Sequence, residues 1–117
     1  MDKLTKRIVA FVKTRDWEQF HNPKDTAISL SLEAAEVLEH FQWKTAKEIK
    51  TYLKTHKKEL GDELSDVLYW VLLMCYYFDI DVKEAFERKM LKNETKYPAH
   101  VVKGRPDKYT TYWKRKL

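Results

Sequence analysis

Two acidic pairs constrain this chain more than any other feature. Glu33 and Glu36 lie in SLSLEAAEVLEHFQW, and Glu63 and Asp66 lie in ELGDELSDVLYWVLL. Each pair is spaced i, i+3, which sets both carboxylates on one face of a helix. In the second stretch the stripe Glu59, Glu63, Asp66, Trp70, Leu73, Tyr77 starts acidic and turns large and apolar. A solvated helix face stays polar along its length, so the spacing predicts acids that border a core. Glu33 and Glu36 are interleaved with Leu30, Leu32, Ala34, Ala35, Val37 and Leu38 in the same way. Carboxylates so placed need protons, cationic partners or a metal, because an uncompensated buried charge is very costly. Converging from two helices, they would form an all-oxygen site suited to Mg²⁺ or Mn²⁺.

The rest of the composition supports long helices. Only 2 glycines and 3 prolines occur in 117 residues, which disfavours a turn-rich β fold. That length is one domain with a core of its own. The lone Cys75 excludes an intramolecular disulfide and reads as a small buried hydrophobe, so the expected location is intracellular, in the cytoplasm. The first residues lack the unbroken apolar stretch of a signal peptide. Val67 to Phe78 is too short a run to span a bilayer. Net charge is +5, which suits anionic ligands such as phosphates or nucleic acid. The four acids run against that sign, which sets them apart further.

Taken in order, the chain reads as helix after helix. Leu4, Ile8, Phe11 and Val12 form the apolar stripe of a first helix, expected from Asp2 to about Phe20 and stopped by His21-Asn22-Pro23. Asn22 can cap the second helix, with Pro23 at its first position, running to about Phe41. Thr45 and Glu48 form a capping-box pattern ahead of a short basic helix. A third main helix spans about Lys57 to Phe78, and a fourth runs from Val82 to about Lys96 behind an Asp81 cap. Tyr97-Pro98 ends it. Residues 1–98 are thus expected to be the helical domain and 99–117 a basic, aromatic C-terminal tail. Four main helices with short connections predict an all-α four-helix bundle. The third main helix is apolar on most sides, which predicts burial by a partner chain and hence a homo-oligomer.

At this point the residues resemble a known family. RDWEQFHNP, LEAAEVLEHFQW, ELSDVLYW and KMLKNETKYP, in that order, resemble the all-α nucleoside triphosphate pyrophosphohydrolases of the MazG-like superfamily, most closely the dCTP pyrophosphatase branch. The likeness runs from about Arg15 to Pro98. It implies hydrolysis of a nucleoside triphosphate to the monophosphate and pyrophosphate, with Mg²⁺ as cofactor. It places catalytic metal ligands at Glu33, Glu36, Glu63 and Asp66. It also implies that Trp17, Glu18, Gln19, Phe20 and His21 hold the nucleoside, together with Trp43 and Trp70. Trp70 stands where such relatives often carry tyrosine. Their polar position on the first helix matches Ile8 here. Lys89 and Asn93 match a lysine and an asparagine on the last helix. The implied assembly is a homodimer or homotetramer with the site at the subunit interface.

The residues read on their own agree with that reaction class. Carboxylates bind a polyphosphate only through metal, and the metal then stabilises charge on the departing pyrophosphate. Glu39 and Glu59 are candidates for a base or supporting role, against the plainer reading of solvated surface. Lys89, Lys92, Lys96, Lys103 and Arg105 could balance phosphate charge or simply solubilise. Core packing competes with base stacking for Trp43 and Trp70. His40 lies one turn past Glu36, but the spacing is not the Glu-x-x-His of di-iron bundles, so it is read as a non-ligand. A redox di-metal protein is disfavoured for the same reason. The expected function is Mg²⁺-dependent pyrophosphohydrolysis of a dCTP-like nucleotide in pool house-cleaning. The alternative is a basic helical nucleic-acid-binding or adaptor protein without catalysis, which gives the acids no role. Binding carried by phosphate contacts would weaken steeply with salt.

Overall fold

The computed structural model describes residues 2–105. Among these the chain is helical with no strand. Helix α1 spans Asp2–Thr14, α2 Pro23–Glu39, α3 Ala46–Thr55, α4 Lys57–Tyr77, α5 Val82–Lys96 and α6 Ala99–Val102. Contacts gather into two units, one up to Ile80 and one from Asp81 onward.

In the first unit α4 is the central element, with α1 and α2 packed against it. Leu72 and Leu73 of α4 and Val12 of α1 are about 1% exposed and form the core. Thr26 is equally buried, and its hydroxyl donates to the Asn22 and Pro23 carbonyls. Leu72→Ala is expected to cost about 2–5 kcal/mol of stability, from lost burial plus the cavity left behind. Urea unfolding checks this. A cost near that of a surface substitution would mean that Leu72 is not at the centre of packing.

The caps read from sequence are in place. The Asn22 side chain accepts from Asp25 N–H, with Pro23 opening α2. Thr45 and Glu48 complete both halves of a capping box at α3. α3 and α4 are separate helices, parted at His56.

One boundary differs from expectation. α1 stops at Thr14, short of Phe20. Asp16 then takes φ 54°, a left-handed conformation that aspartate tolerates better than most residues. Its carboxylate and its carbonyl each accept from the Gln19 amide at 3.0 Å. A single 3₁₀ turn over Glu18–Phe20 leads on to His21.

In the second unit Asp81 caps α5 by accepting from Glu84 N–H. The expected plain tail contains α6, whose first turn is closed by the Pro98 carbonyl accepting from Val101 and Val102. The remainder of the tail lies outside the described residues. No helix among those described is long and apolar enough to cross a membrane.

Candidate metal centre and adjoining pocket

α2 and α4 carry the acids to one point. One oxygen from each of Glu33, Glu36, Glu63 and Asp66 lies within 4.8 Å of all the others. The i, i+3 spacing puts each pair on one face, and the packing of α2 on α4 turns the two faces together. The pairs are not equally sunk. Glu33 and Glu63 are half-buried, whereas Glu36 and Asp66 are exposed in the single chain. The expected inward orientation therefore holds for one acid of each pair.

Electrostatics show the cost of that gathering. Glu63 is pushed up from 4.5 to about 7. The largest cause is a proton shared with the Glu36 carboxyl, followed by burial and by repulsion from Glu36, Asp66 and Glu33. Glu33 is raised as well, by burial first and then by Glu36 and Asp66. Glu33 Oε2 and Glu63 Oε2 are buried with no hydrogen-bond partner. Buried carboxylate oxygens without donors are rare and call for an ion or a proton. A hard divalent cation fits this donor set, since only oxygens converge.

A cavity of about 620 Å³ opens beside the acids, with Glu33 and Asp66 in its wall. Phe11, Trp17, Tyr69 and Trp70 supply aromatic faces to the same space. Phe11 meets Trp17 and Tyr69 edge-on, with ring centres 5.6 and 6.3 Å apart. His21 packs edge-on against Trp70 at 5.5 Å, and its Nδ1 is 2.5 Å from the Tyr77 hydroxyl. Burial and the nearby Glu18, Tyr69 and Tyr76 push Tyr77 up to about 12, so it stays a neutral phenol. An aromatic-lined cavity with carboxylates in its wall suits a flat ring joined to a metal-bound anion.

The expected binding residues are not all brought together. Trp17 and Trp70 line the cavity, and His21 supports Trp70. Gln19 is turned to Asp16, and Phe20 is exposed. Glu18 is half-buried near the Tyr77 hydroxyl, as its effect on that phenol shows. Trp43 is 86% exposed and does not line the cavity. Lys89 and Asn93 lie one turn apart on α5, in the second unit. Glu39 and Glu59 are both exposed.

Sequence reasoning did not single out Tyr69 or Arg7, which also line the cavity. Tyr69 sits three residues past Asp66, and that spacing was the available signal. His40 stands outside the group of four converging acids, yet it belongs to the surroundings. Its Nε2 lies 4.0 Å from Glu63 Oε1, and its Nδ1 is hydrogen-bonded to the Tyr52 hydroxyl.

Fold and acid cluster together define a helical protein built around a carboxylate site, and comparison with known proteins places it. Residues 28–111 match the sequence model of the MazG-like family, and the chain belongs to that family. It is 36% identical to a mouse protein, dCTP pyrophosphatase 1, over 102 residues, covering 86% of this chain and 60% of that protein. The human protein of the same name is 37% identical over the same length. The chain thus spans 60% of the length of these curated relatives. A crystal structure described as a pyrophosphatase from Archaeoglobus fulgidus is similar at TM-score 0.79 and 41% identity, covering 84% of this chain and 92% of that one.

Proposed function

We propose that this chain is a divalent-metal-dependent nucleoside triphosphate pyrophosphohydrolase, acting between the α- and β-phosphates of a dCTP-like substrate. One observation carries the reading: the carboxylates of Glu33, Glu36, Glu63 and Asp66 converge within 4.8 Å at the wall of an aromatic-lined cavity. The names of the mouse and human relatives and of the archaeal structure support the reaction class.

Glu33, Glu36, Glu63 and Asp66 would hold Mg²⁺, or Mn²⁺ in its place. Such an ion supplies Lewis acidity at the phosphate oxygens and stabilises charge on the departing pyrophosphate. The chain itself binds and orients. Trp70 and Trp17 offer faces for the base, and His21 and Tyr77 fix the position of Trp70. Trp43, Glu18, Gln19, Phe20, Lys89 and Asn93 stay in the proposal as substrate contacts completed in the assembled enzyme. Residues 1–98 would carry the activity in the cytoplasm, with 99–117 as an appended tail.

Product analysis over a panel of dNTPs and NTPs tests this. Equimolar monophosphate and pyrophosphate, with dCTP among the better substrates, is expected. Release of orthophosphate would reject the reaction. Trp70→Ala is expected to raise KM roughly fivefold to a hundredfold, since stacking on a base is worth about 1–3 kcal/mol. An unchanged KM would remove Trp70 from the base pocket.

The enzyme is further proposed to be a homodimer or homotetramer. On α2, Ile28 and Leu32 are 46 and 62% exposed, one turn apart on the same side. An apolar stripe of that kind is the usual face for a second copy. Sedimentation of the wild-type chain is expected to give a multiple of 14.1 kDa, and Leu32→Glu to shift it to the monomer. A wild-type monomer would end this part of the proposal.

A further inference from the structure

A chain of side chains leads away from the acid cluster. Glu63 divides its oxygens between two environments. Oε2 is buried without a partner, and Oε1 lies 4.0 Å from His40 Nε2. His40 is itself largely buried, at 13% side-chain exposure. Its other ring nitrogen, Nδ1, is hydrogen-bonded to the Tyr52 hydroxyl of α3. Facing a carboxylate, Nε2 carries the proton, so Nδ1 accepts from the Tyr52 O–H.

Tyr52 is fixed in turn. His56 stacks on its ring at 4.0 Å with the planes 4° apart. The Lys44 ammonium lies over the same ring, 4.3 Å from its centre, while donating to the His40 carbonyl at 2.7 Å. α3 thereby reaches the acid cluster through a single imidazole. A contact needed only to fasten α3 to α2 would not have to end on a carboxylate of the site.

We propose that His40, braced by Tyr52, is a positioning residue that holds Glu63 by Oε1 and leaves Oε2 free for the divalent ion. This rests on the reading of the acids as metal ligands. The 4.0 Å separation exceeds a direct hydrogen bond, and such contacts commonly tighten when a site is filled. The groups behind a metal's carboxylates set their orientation, and losing one typically costs about 10–100-fold in metal affinity.

Calorimetric titration of the whole chain with Mn²⁺, free of nucleotide, tests the proposal, with circular dichroism to verify folding. His40→Leu is expected to weaken Mn²⁺ binding about tenfold or more. His40→Gln keeps a donor toward Glu63 and is expected to recover most of that loss. Tyr52→Phe removes only a hydroxyl and should weaken binding severalfold, so it decides the matter if His40→Leu does not fold. A merely structural role would lower the melting temperature of the metal-free variants and leave Mn²⁺ affinity unchanged. Wild-type affinity in both Tyr52→Phe and His40→Leu would overturn the proposal. A wild-type chain that binds no Mn²⁺ would sink the metal reading along with it.

Discussion

Asp66→Asn is expected to lower turnover by about a thousandfold or more while leaving the fold intact. The amide keeps the shape of the side chain and removes its charge. A bound divalent ion contributes several kcal/mol to such a reaction, and about 4 kcal/mol corresponds to a thousandfold. Asp66 is exposed in the single chain, so its loss disturbs no packing. Its removal also relieves repulsion on Glu33 and Glu63, since Asp66 raises both. The variant is therefore expected to be at least as stable as the wild type without metal. Lower activity with equal or higher melting temperature is the signature of a charge kept for function. Glu63→Gln should behave alike. Steady-state kinetics and a thermal melt on the same samples check both, and turnover within tenfold of wild type would remove Asp66 from the ligand set.

Divalent metal is expected to oppose the pH dependence of stability. In the metal-free protein Glu63 titrates near 7, above its ordinary 4.5, and Glu33 is shifted the same way. Between those values the folded chain holds more protons than the unfolded chain. Stability is then greatest below about 4.5 and falls as pH rises towards 7 through this group. Without metal the melting temperature should be lower at pH 8 than at pH 5.5, as far as these acids govern it. With Mg²⁺ at about a hundredfold over its Kd, the folded state gains about 2.7 kcal/mol, or on the order of 10 °C for a chain of this size. That gain should shrink at the acidic pH, where protons compete for the same oxygens. Melts that ignore both pH and Mg²⁺ would contradict a shared metal site.

Much of the fold is legible in the sequence where a local rule decides. Asn22-Pro23 starts α2, Thr45 with Glu48 starts α3, and Asp81 starts α5, because each cap needs only neighbours in the chain. The convergence of the acids is legible because the periodicity of each helix shows which residues share a face. Other features depend on partners far along the chain. The early end of α1 turns on one left-handed residue, Asp16, and many aspartates never adopt that state. α5 stops at Lys96, as Tyr97-Pro98 predicts, but α6 then forms behind Pro98 within the expected tail. The unequal depth of the acids follows from how α2 lies on α4, which periodicity does not define, and Trp43 is exposed in the turn beyond α2. The brace from Tyr52 through His40 to Glu63 joins three helices, and no spacing rule points to it.

Anomalous diffraction from crystals grown with Mn²⁺ is the most direct measurement of the central claim. One or two peaks enclosed by the carboxylates of Glu33, Glu36, Glu63 and Asp66 are expected. Ordered crystals that show Mn²⁺ bound elsewhere, with those carboxylates turned apart, would contradict it.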